Sequence, residues 1–248
     1  NRRSPMADPS TPTRFIASTS QVLWRILESK GVDPAPVFRN AGLDPRLWNE
    51  PGARFSVAAL NQAWADATKI TRDPCIGLKA AGFVNPASLQ ALGFAWLASD
   101  TLFDALSRLV RYSRLLSDGL VLELAVSGQD CRLVIDTSVE DMGDLPVRMD
   151  AFFAGILALS RMITTDALNA TALSLGRAPP PCAQEFHRLF GTLVRFDAGE
   201  DSITFARDAA ERPLPTGNRW LAHQNDQVID DYLQRFNSDT FADRVRSR

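Results

Sequence analysis

Leu120-Val-Leu-Glu-Leu-Ala-Val-Ser-Gly-Gln-Asp-Cys-Arg-Leu-Val-Ile-Asp-Thr137 is the stretch that decides the fold class. Leucine or valine occupies every second position from 120 to 126, a period of two that is typical of a β-strand. Gly128-Gln-Asp130 has the composition of a short turn, and the alternation resumes at Leu133 and Ile135. The stretch therefore predicts a β-hairpin.

Helical period dominates the sequence before the hairpin. The first apolar stripe covers residues 15–27 at the three-to-four spacing of a buried helix face, and Gly31 closes it. Ser56 is predicted to cap a second helix and Thr101 a fourth, because each precedes an apolar stripe and can accept a hydrogen bond from a first-turn N–H. Pro86 opens the third helix between them.

A long helix is predicted to follow the hairpin from about Asp144, with Pro146 in its first turn. Its middle, residues 151–160, is apolar on nearly every side, and such a helix is buried all round. The remaining short elements are strands at 170–175, 193–196 and 203–205 and a helix at 182–190. We therefore predict an α+β fold in which helices pack on a mostly antiparallel sheet, with a C-terminal linker helix.

The ends of the chain are predicted to lie outside this domain, which spans residues 15–217. A linker helix is predicted over 218–236, with Asn237-Ser238 breaking it before another helix begins. That helix reaches the last residue without a glycine or proline, so we interpret residues 237–248 as the truncated start of a further domain. At the other end, residues 1–14 are interpreted as disordered. Within them, residues 1–5 are interpreted as an expression-vector remnant before a native Met6.

Composition narrows the class of protein. A net charge of −2 with mixed signs argues against nucleic-acid binding by this chain alone, which would need a concentrated basic face. No apolar run approaches the ~20 residues of a membrane span, and residues 1–5 lack the apolar stretch of a signal peptide. The three cysteines are odd in number and widely spaced, which favours reduced thiols in a cytoplasmic protein.

Motifs of catalysis are absent from the sequence. It contains no Gly-x-Ser-x-Gly, Gly-x-Gly-x-x-Gly, phosphate-binding loop or His-Glu-x-x-His, so no catalytic residue, metal site or cofactor is predicted. His187 is flanked by core-type aromatic residues, which favours a half-buried imidazole bonded to backbone over a catalytic base. Asp230 and Asp231 are interpreted as a solvated helix face.

Aromatic and cationic residues near the hairpin form a candidate ligand pocket for an anionic or apolar metabolite. The residues are Phe94, Trp96, Arg111, Tyr112, Phe152 and Phe153. The competing interpretation is that the aromatic residues fill the core and the arginines are surface charges. Spacing alone leaves both interpretations open.

Leu92-Gly-Phe-Ala-Trp-Leu-Ala-Ser-Asp-Thr-Leu-Phe-Asp-Ala-Leu-Ser-Arg-Leu-Val-Arg-Tyr112 resembles the central signature of the ligand-binding domain in one branch of AraC-type transcriptional regulators. That signature pairs a Leu-Gly helix with a Thr-Leu-x-x-Ala-Leu helix that ends in Arg-Tyr. Its second block is similar to Phe186–Phe196, Ile203–Phe205 and Pro213-Leu214, in that order. Residues 197–202 depart from the family because they are more acidic than its usual turn.

The resemblance implies the effector-binding and dimerisation domain of a cytoplasmic bacterial transcription factor, and no enzyme. Its partners would be a small-molecule effector, a second copy of the chain, and DNA through a missing C-terminal helix-turn-helix domain, whose first helix residues 240–248 resemble. The 218–236 helix is the candidate transmission element. Its apolar face could equally form a dimer seam or pack on its own domain.

Two alternatives from other classes stay open. One is an oligomerisation scaffold without a ligand, whose apolar helices fill the interior completely. The other is an enzyme with an unfamiliar site. Arabinose is not implied as the effector, because the arabinose sensors that name the family use an all-β barrel and long helices do not fit that architecture.

Overall fold

The computed structural model of the protein describes residues 13–136, 146–164 and 168–246, with side chains described up to residue 236. The α-helices are α1 (Gln21–Ser29), α2 (Pro34–Asn40), α3 (Val57–Thr71), α4 (Ala91–Leu97), α5 (Leu102–Arg111), α6 (Ser113–Leu116), α7 (Pro146–Ile163), α8 (Ala183–Phe190), α9 (Arg207–Ala210) and α10 (Arg219–Arg246). The strands are β1 (Arg14–Ile16), β2 (Arg54–Ser56), β3 (Val121–Ser127), β4 (Asp130–Asp136), β5 (Ala172–Ser174), β6 (Val194–Arg195) and β7 (Asp201–Ala206). Short 3-10 helices cover Ala17–Ser20, Pro45–Asn49, Ile76–Gly82 and Pro86–Leu89.

The predicted hairpin forms β3 and β4, and the α+β class is confirmed. Gly128 makes the turn at φ +58°, and the register sets Leu122 opposite Ile135. The five-stranded sheet has the order β3-β4-β7-β5-β6, in which all pairs are antiparallel except β5 with β6. One face is packed into the core, where Leu133, Ile203 and Phe205 are fully buried.

The two predicted caps are confirmed. The Ser56 Oγ accepts the Ala59 N–H at 3.1 Å at the start of α3, and the Thr101 Oγ1 accepts the Asp104 N–H at 3.0 Å at the start of α5. The start of the first helix is corrected, because residues 14–16 pair with β2 as a strand and α1 begins only at Gln21. Pairing with a distant strand therefore overrides the local helical spacing of Phe15 and Ile16.

Two glycines allow neighbouring elements to approach closely. A Cβ added at Gly93 of α4 would lie 1.8 Å from the Pro86 carbonyl oxygen, and one at Gly77 would lie 2.1 Å from the Val147 carbonyl oxygen. Neither separation is compatible with a side chain, so both positions require glycine. Gly77 thereby seats the 3-10 helix Ile76–Gly82 against α7, the central helix.

Helix α7 is buried over most of its surface, as its composition predicts. Phe153, Ala154 and Leu157 are fully buried, and the helix contacts the 3-10 helix Ile76–Gly82 and α8. The predicted start near Asp144 lies outside the described residues. No helix among the described residues combines the length and apolar composition that crossing a bilayer requires.

The predicted break at Asn237 and Ser238 is wrong, because α10 runs without interruption from Arg219 to Arg246. Two polar residues with weak helix preference do not end a helix when residues on both sides are helical. The N-terminal residues 1–12 lie outside the described part of the chain, and their predicted disorder stays a prediction.

The expectation of three reduced cysteines is also wrong. Cys75 and Cys182, which are 107 positions apart in sequence, form a disulfide with a Cα–Cα distance of 6.3 Å. Cys75 precedes the 3-10 helix Ile76–Gly82 and Cys182 precedes α8, and these two helices are in contact. Cys131 is free and buried in β4, where burial raises the pKa of its thiol to about 11.

Candidate functional site

A cavity of about 140 Å³ lies where the N-terminal helices meet α7 and the sheet. Its walls come from β1, α1, α3, α5, α6, β4, α7 and the 3-10 helices between them. The lining residues are Phe15, Thr19, Ser20, Val22, Leu60, Trp64, Ala80, Val84, Ser88, Leu89, Leu109, Leu116, Leu120, Ile135, Arg148, Met149, Ala151, Phe152, Gly155, Ile156 and Leu159. Most of these are apolar, so the cavity favours an apolar occupant.

Three hydroxyl groups in the wall are already used as donors. Thr19 donates to the Ile16 carbonyl at 2.8 Å, Ser20 to the Ala17 carbonyl at 2.7 Å, and Ser88 to the Asn85 carbonyl at 2.6 Å. Because a hydroxyl has a single proton to donate, these groups offer an occupant acceptor lone pairs but no donor.

Among the residues that the structure describes, Arg148 is the one charged residue that lines the cavity. It lies in the first turn of the described part of α7 and is half-buried. A guanidinium carries five N–H donors in a planar fork that matches a carboxylate. The cavity therefore combines apolar walls with one cation.

Behind this wall, Asp150 forms a buried ion pair with Arg177, which follows β5. Burial raises the pKa of the Asp150 carboxyl to about 7, although the Arg177 charge and hydrogen bond act to lower it. The Arg177 guanidinium also lies 5.7 Å from the centre of the Phe186 ring in α8. The pair thus connects α7 to the segment that follows β5.

The structure separates the six residues predicted to line a pocket. Phe152 lies in the cavity wall, whereas Phe153 beside it points into the core and is fully buried. Trp96 is fully buried, and its Nε1–H donates to the Leu159 carbonyl at 3.0 Å, so it supports α7 from outside the cavity. Phe94 is 48% exposed on α4. Ligand contact by these residues stays a prediction.

Arg111 and Tyr112 lie together against α10 instead of the cavity. The Arg111 Nη2 lies 3.2 Å from Asp230 Oδ2, and the Tyr112 hydroxyl donates to the same oxygen at 3.4 Å. Burial, with the negative charge of Asp226, raises the pKa of Tyr112 to about 12. The Asp230 side chain is 43% exposed although it forms this pair, and Asp231 is exposed as well, which agrees with the predicted solvated face.

A second ion pair joins the same two helices. The Arg108 Nε lies 3.2 Å from Asp226 Oδ1, and the Arg108 Nη1–H donates to the Ser99 hydroxyl at 3.1 Å. Both side chains of the pair are largely buried. Leu109, the next residue of α5, lies in the cavity wall. One helix therefore contacts the cavity on one side and α10 on the other.

Neither histidine is among the residues that line the cavity. The His187 Nδ1 accepts the Val194 N–H at 3.0 Å, as predicted for a half-buried imidazole bonded to backbone. His223 is exposed on α10. Within the described ranges, no cluster of three or more His, Cys, Asp or Glu side chains could hold a metal ion.

Sequence reasoning missed Arg148 and most of the cavity wall. The sequence does contain one indication of Arg148. This arginine comes two residues after Pro146, at the start of a helix that is otherwise apolar, and a charged residue in such a helix has no obvious face exposed to solvent. The other lining residues share no motif, because a void depends on how distant side chains fail to fill the space between them.

The chain matches the family model for the N-terminal arabinose-binding domain of AraC transcription regulators over residues 31–214. It is similar to an ornithine utilization regulator of Pseudomonas aeruginosa, at 25% identity over 205 residues that cover 80% of this chain and 59% of that protein. Uncharacterised helix-turn-helix-type transcriptional regulators of Mycobacterium bovis and Mycobacterium tuberculosis are each 25% identical over 242 residues, covering 92% of this chain and 67% of theirs.

Among solved structures, the transcriptional regulator CdpR from Pseudomonas aeruginosa resembles the chain with a TM-score of 0.61. The match covers 90% of this chain and 62% of CdpR at 15% identity, so it shows a shared fold alone. The chain thus spans about three fifths of the length of its first relative and of this structural neighbour.

Proposed function

The chain belongs to the family of N-terminal arabinose-binding domains of AraC transcription regulators, and on that basis we propose that it senses a small-molecule effector and controls DNA binding by a helix-turn-helix domain. The observation that carries the proposal is α5, which lines the cavity through Leu109 and binds α10 through Arg108 and Arg111. The relatives are named as transcriptional regulators, which gives no support to the enzyme alternative.

The cavity favours a sensor over a ligand-free scaffold. A scaffold gains nothing from an unfilled interior, because the side chains around a void lose packing contacts. A cavity of about this size, lined by apolar side chains, is large enough for a small organic molecule. The cavity beside Phe152 therefore supports the binding of an effector.

Neither arabinose nor ornithine fits the walls. A sugar has hydroxyl groups on every side, and most of them would face apolar side chains without hydrogen-bond partners. One relative is named for ornithine utilization, but although the carboxylate of an amino acid of that kind could pair with Arg148, its two ammonium groups would face mostly apolar side chains. The proposed effector is accordingly a different molecule from either.

Transmission is proposed to run through α5 to α10. An occupant that presses on Leu109 would displace α5 and alter the Arg108–Asp226 and Arg111–Asp230 pairs. Such an effector shifts the population of domain arrangements only as far as its affinities for them differ. The largely buried Arg108–Asp226 pair is the stronger element of this connection, since exposed pairs contribute little.

A thermal-shift screen of amino acids, carboxylic acids, fatty acids and aromatic metabolites tests the proposal. A ligand at ~100 times its dissociation constant should stabilise the folded chain by about 2.7 kcal/mol and raise Tm by roughly 5–10 °C. Gly155→Leu should abolish the shift, because Gly155 lies in the cavity wall and a Cβ there has room, 3.8 Å from Val84 Cγ2.

Gly82→Leu is the matched control, since a Cβ at Gly82 meets nothing within 4 Å and the residue lies outside the lining set. The ligand should also change hydrogen exchange at the amides of residues 219–236 in wild type and in Gly82→Leu. A ligand-induced rise in Tm that persists in Gly155→Leu would show that the ligand binds at another site. A flat screen would favour the scaffold.

The exposed side of α10 is proposed to contact a second copy of the chain. The apolar residues of α10 differ in exposure. Ile229 is buried against its own domain, whereas Trp220 is 70% exposed and Val228 is 58% exposed. Leu221, also exposed, lies seven residues before Val228 and therefore on the same face. Ile229 therefore fits packing of this face on its own domain, whereas Trp220, Leu221 and Val228 fit a dimer seam.

Trp220→Glu is expected to raise the dimer dissociation constant by at least ~30-fold, because large aromatic anchors dominate interfaces. Sedimentation equilibrium of wild type and variant at several concentrations measures this. Ile70→Glu is the control, since Ile70 is 53% exposed but lies on α3. A wild-type chain that stays monomeric, or an unchanged dissociation constant in Trp220→Glu, would contradict the proposed seam.

A further inference from the structure

We infer that the ligand of the cavity is an apolar carboxylate, whose anionic group pairs with Arg148 and whose body of roughly six to eight carbon atoms fills the apolar walls. This inference rests on the proposed effector-binding function and specifies the chemical class of the effector. Neither the family model nor the relatives assign such a ligand to this chain.

The charge of the cavity wall selects an anion. Arg148 is half-buried and lines the cavity near the start of α7. The apolar residues Met149, Ala151 and Phe152 of the same helix line the cavity beside it. An ion pair in such surroundings is stronger than one in water, because apolar walls screen charge poorly. Arg148 already has another interaction, but its five N–H donors leave capacity for a carboxylate as well.

The remaining wall selects an apolar body. The donors of Thr19, Ser20 and Ser88 are spent on backbone carbonyls, so a neutral polar group on the ligand would find no hydroxyl donor there. Phe15, Leu60 and Trp64 contribute aliphatic and aromatic carbons to the lining. A ligand with acceptor groups beyond the carboxylate would leave them unsatisfied, since the three hydroxyl groups can only accept.

The size of the cavity sets how large a group it can enclose. Its volume is about 140 Å³, and an engineered apolar cavity of about 150 Å³ in another protein holds benzene. A six-membered carbon ring therefore matches the space. The carboxylate would extend from the ring towards Arg148.

Isothermal titration calorimetry with three compounds of one shape tests the inference. The compounds are cyclohexanecarboxylate, its neutral amide, and the cationic cyclohexylmethylamine. We expect the carboxylate to bind with a dissociation constant at least ~10-fold below that of the amide, and the amine to bind most weakly, because a charge-assisted bidentate pair is stronger than a neutral hydrogen bond.

Arg148→Met should raise the dissociation constant of cyclohexanecarboxylate by roughly 10- to 100-fold and leave that of the amide within ~3-fold. Arg148→Lys should restore part of the loss, since it keeps the charge without the planar fork. Arg188→Met, at an exposed arginine of α8, is the matched control. Circular dichroism of each variant checks that the fold is retained.

The outcomes separate this inference from the proposed function. Equal binding of amide and carboxylate, or no effect of Arg148→Met, overturns the carboxylate class but leaves effector binding intact when Gly155→Leu abolishes it. Binding of a compound from another chemical class, without binding of the carboxylate, also overturns the carboxylate class and leaves effector binding intact. No binding by any compound counts against both proposals.

Discussion

Arg177→Met should lower the free energy of unfolding by about 1–2 kcal/mol more at pH 8 than at pH 5, because Asp150, whose pKa is about 7, is ionised mainly at the higher pH and then lacks its cation. Asp150 is 1% exposed, and its Oδ1 has no hydrogen-bond partner among the residues described. Methionine keeps most of the volume of the arginine stem, so packing changes little. Urea unfolding followed by circular dichroism measures the loss.

The loss should depend on pH in a direction set by Asp150. Burial raises the pKa of Asp150 from 3.8 to about 7 in the folded chain, so its contribution to stability is full below about pH 4 and is lost as pH rises through 7. Without Arg177 the pKa rises further, and stability goes on falling at pH values where wild type has levelled off. The two proteins should therefore differ least at pH 5 and most at pH 8.

The double variant Asp150→Asn/Arg177→Met is the control for charge. It has no titrating carboxyl at this position, so its stability relative to wild type should lack the fall that Arg177→Met shows between pH 5 and pH 8. An equal loss at both pH values in Arg177→Met would attribute the destabilisation to packing against Phe186 and contradict the role of the buried charge.

The Cys75→Ser/Cys182→Ser variant should lose about 2–4 kcal/mol of unfolding free energy under oxidising conditions, because the disulfide closes a long loop and restricts the unfolded chain. The chain-entropy model sets an upper figure of about 4.7 kcal/mol for a loop of ~100 residues. Denaturant unfolding with and without a reductant measures the difference.

The reductant itself provides the control for the disulfide. It should destabilise wild type to about the level of the double variant and leave the double variant unchanged, since Cys131 is present and buried in both. Titration of thiols in the unfolded, unreduced chain should find one per molecule. Three thiols per molecule would show that Cys75 and Cys182 do not bond in solution.

The sequence predicted the features that depend on neighbours in the chain. The alternation over residues 120–137 is itself the strand period, and Ser56 and Thr101 cap their helices through hydrogen bonds that span three residues. His187 was likewise assigned correctly, because its aromatic neighbours indicate a core position. In each of these cases the residues that set the structure lie close together in sequence.

The errors concern contacts between distant residues. Phe15 and Ile16 have helical spacing, but strand pairing with Arg54–Ser56 decides their conformation. The pairing of Cys75 with Cys182 follows from the contact between two helices 107 positions apart, which cysteine counting does not reveal. Trp96 and Tyr112, chosen for a pocket by side-chain type, lie outside the wall of this cavity, and their contact with a ligand stays a prediction.

Because α10 is uninterrupted, a rotation near its anchored part would displace its far end. From Asp226, where it is anchored to Arg108, to its end at Arg246, the helix extends roughly 30 Å at 1.5 Å per residue. A tilt of about 10° at the anchor would move the far end by about 5 Å over that length. If an effector acts through α5 as proposed, a small tilt of α10 at this anchor would become a displacement of several ångströms at Arg246.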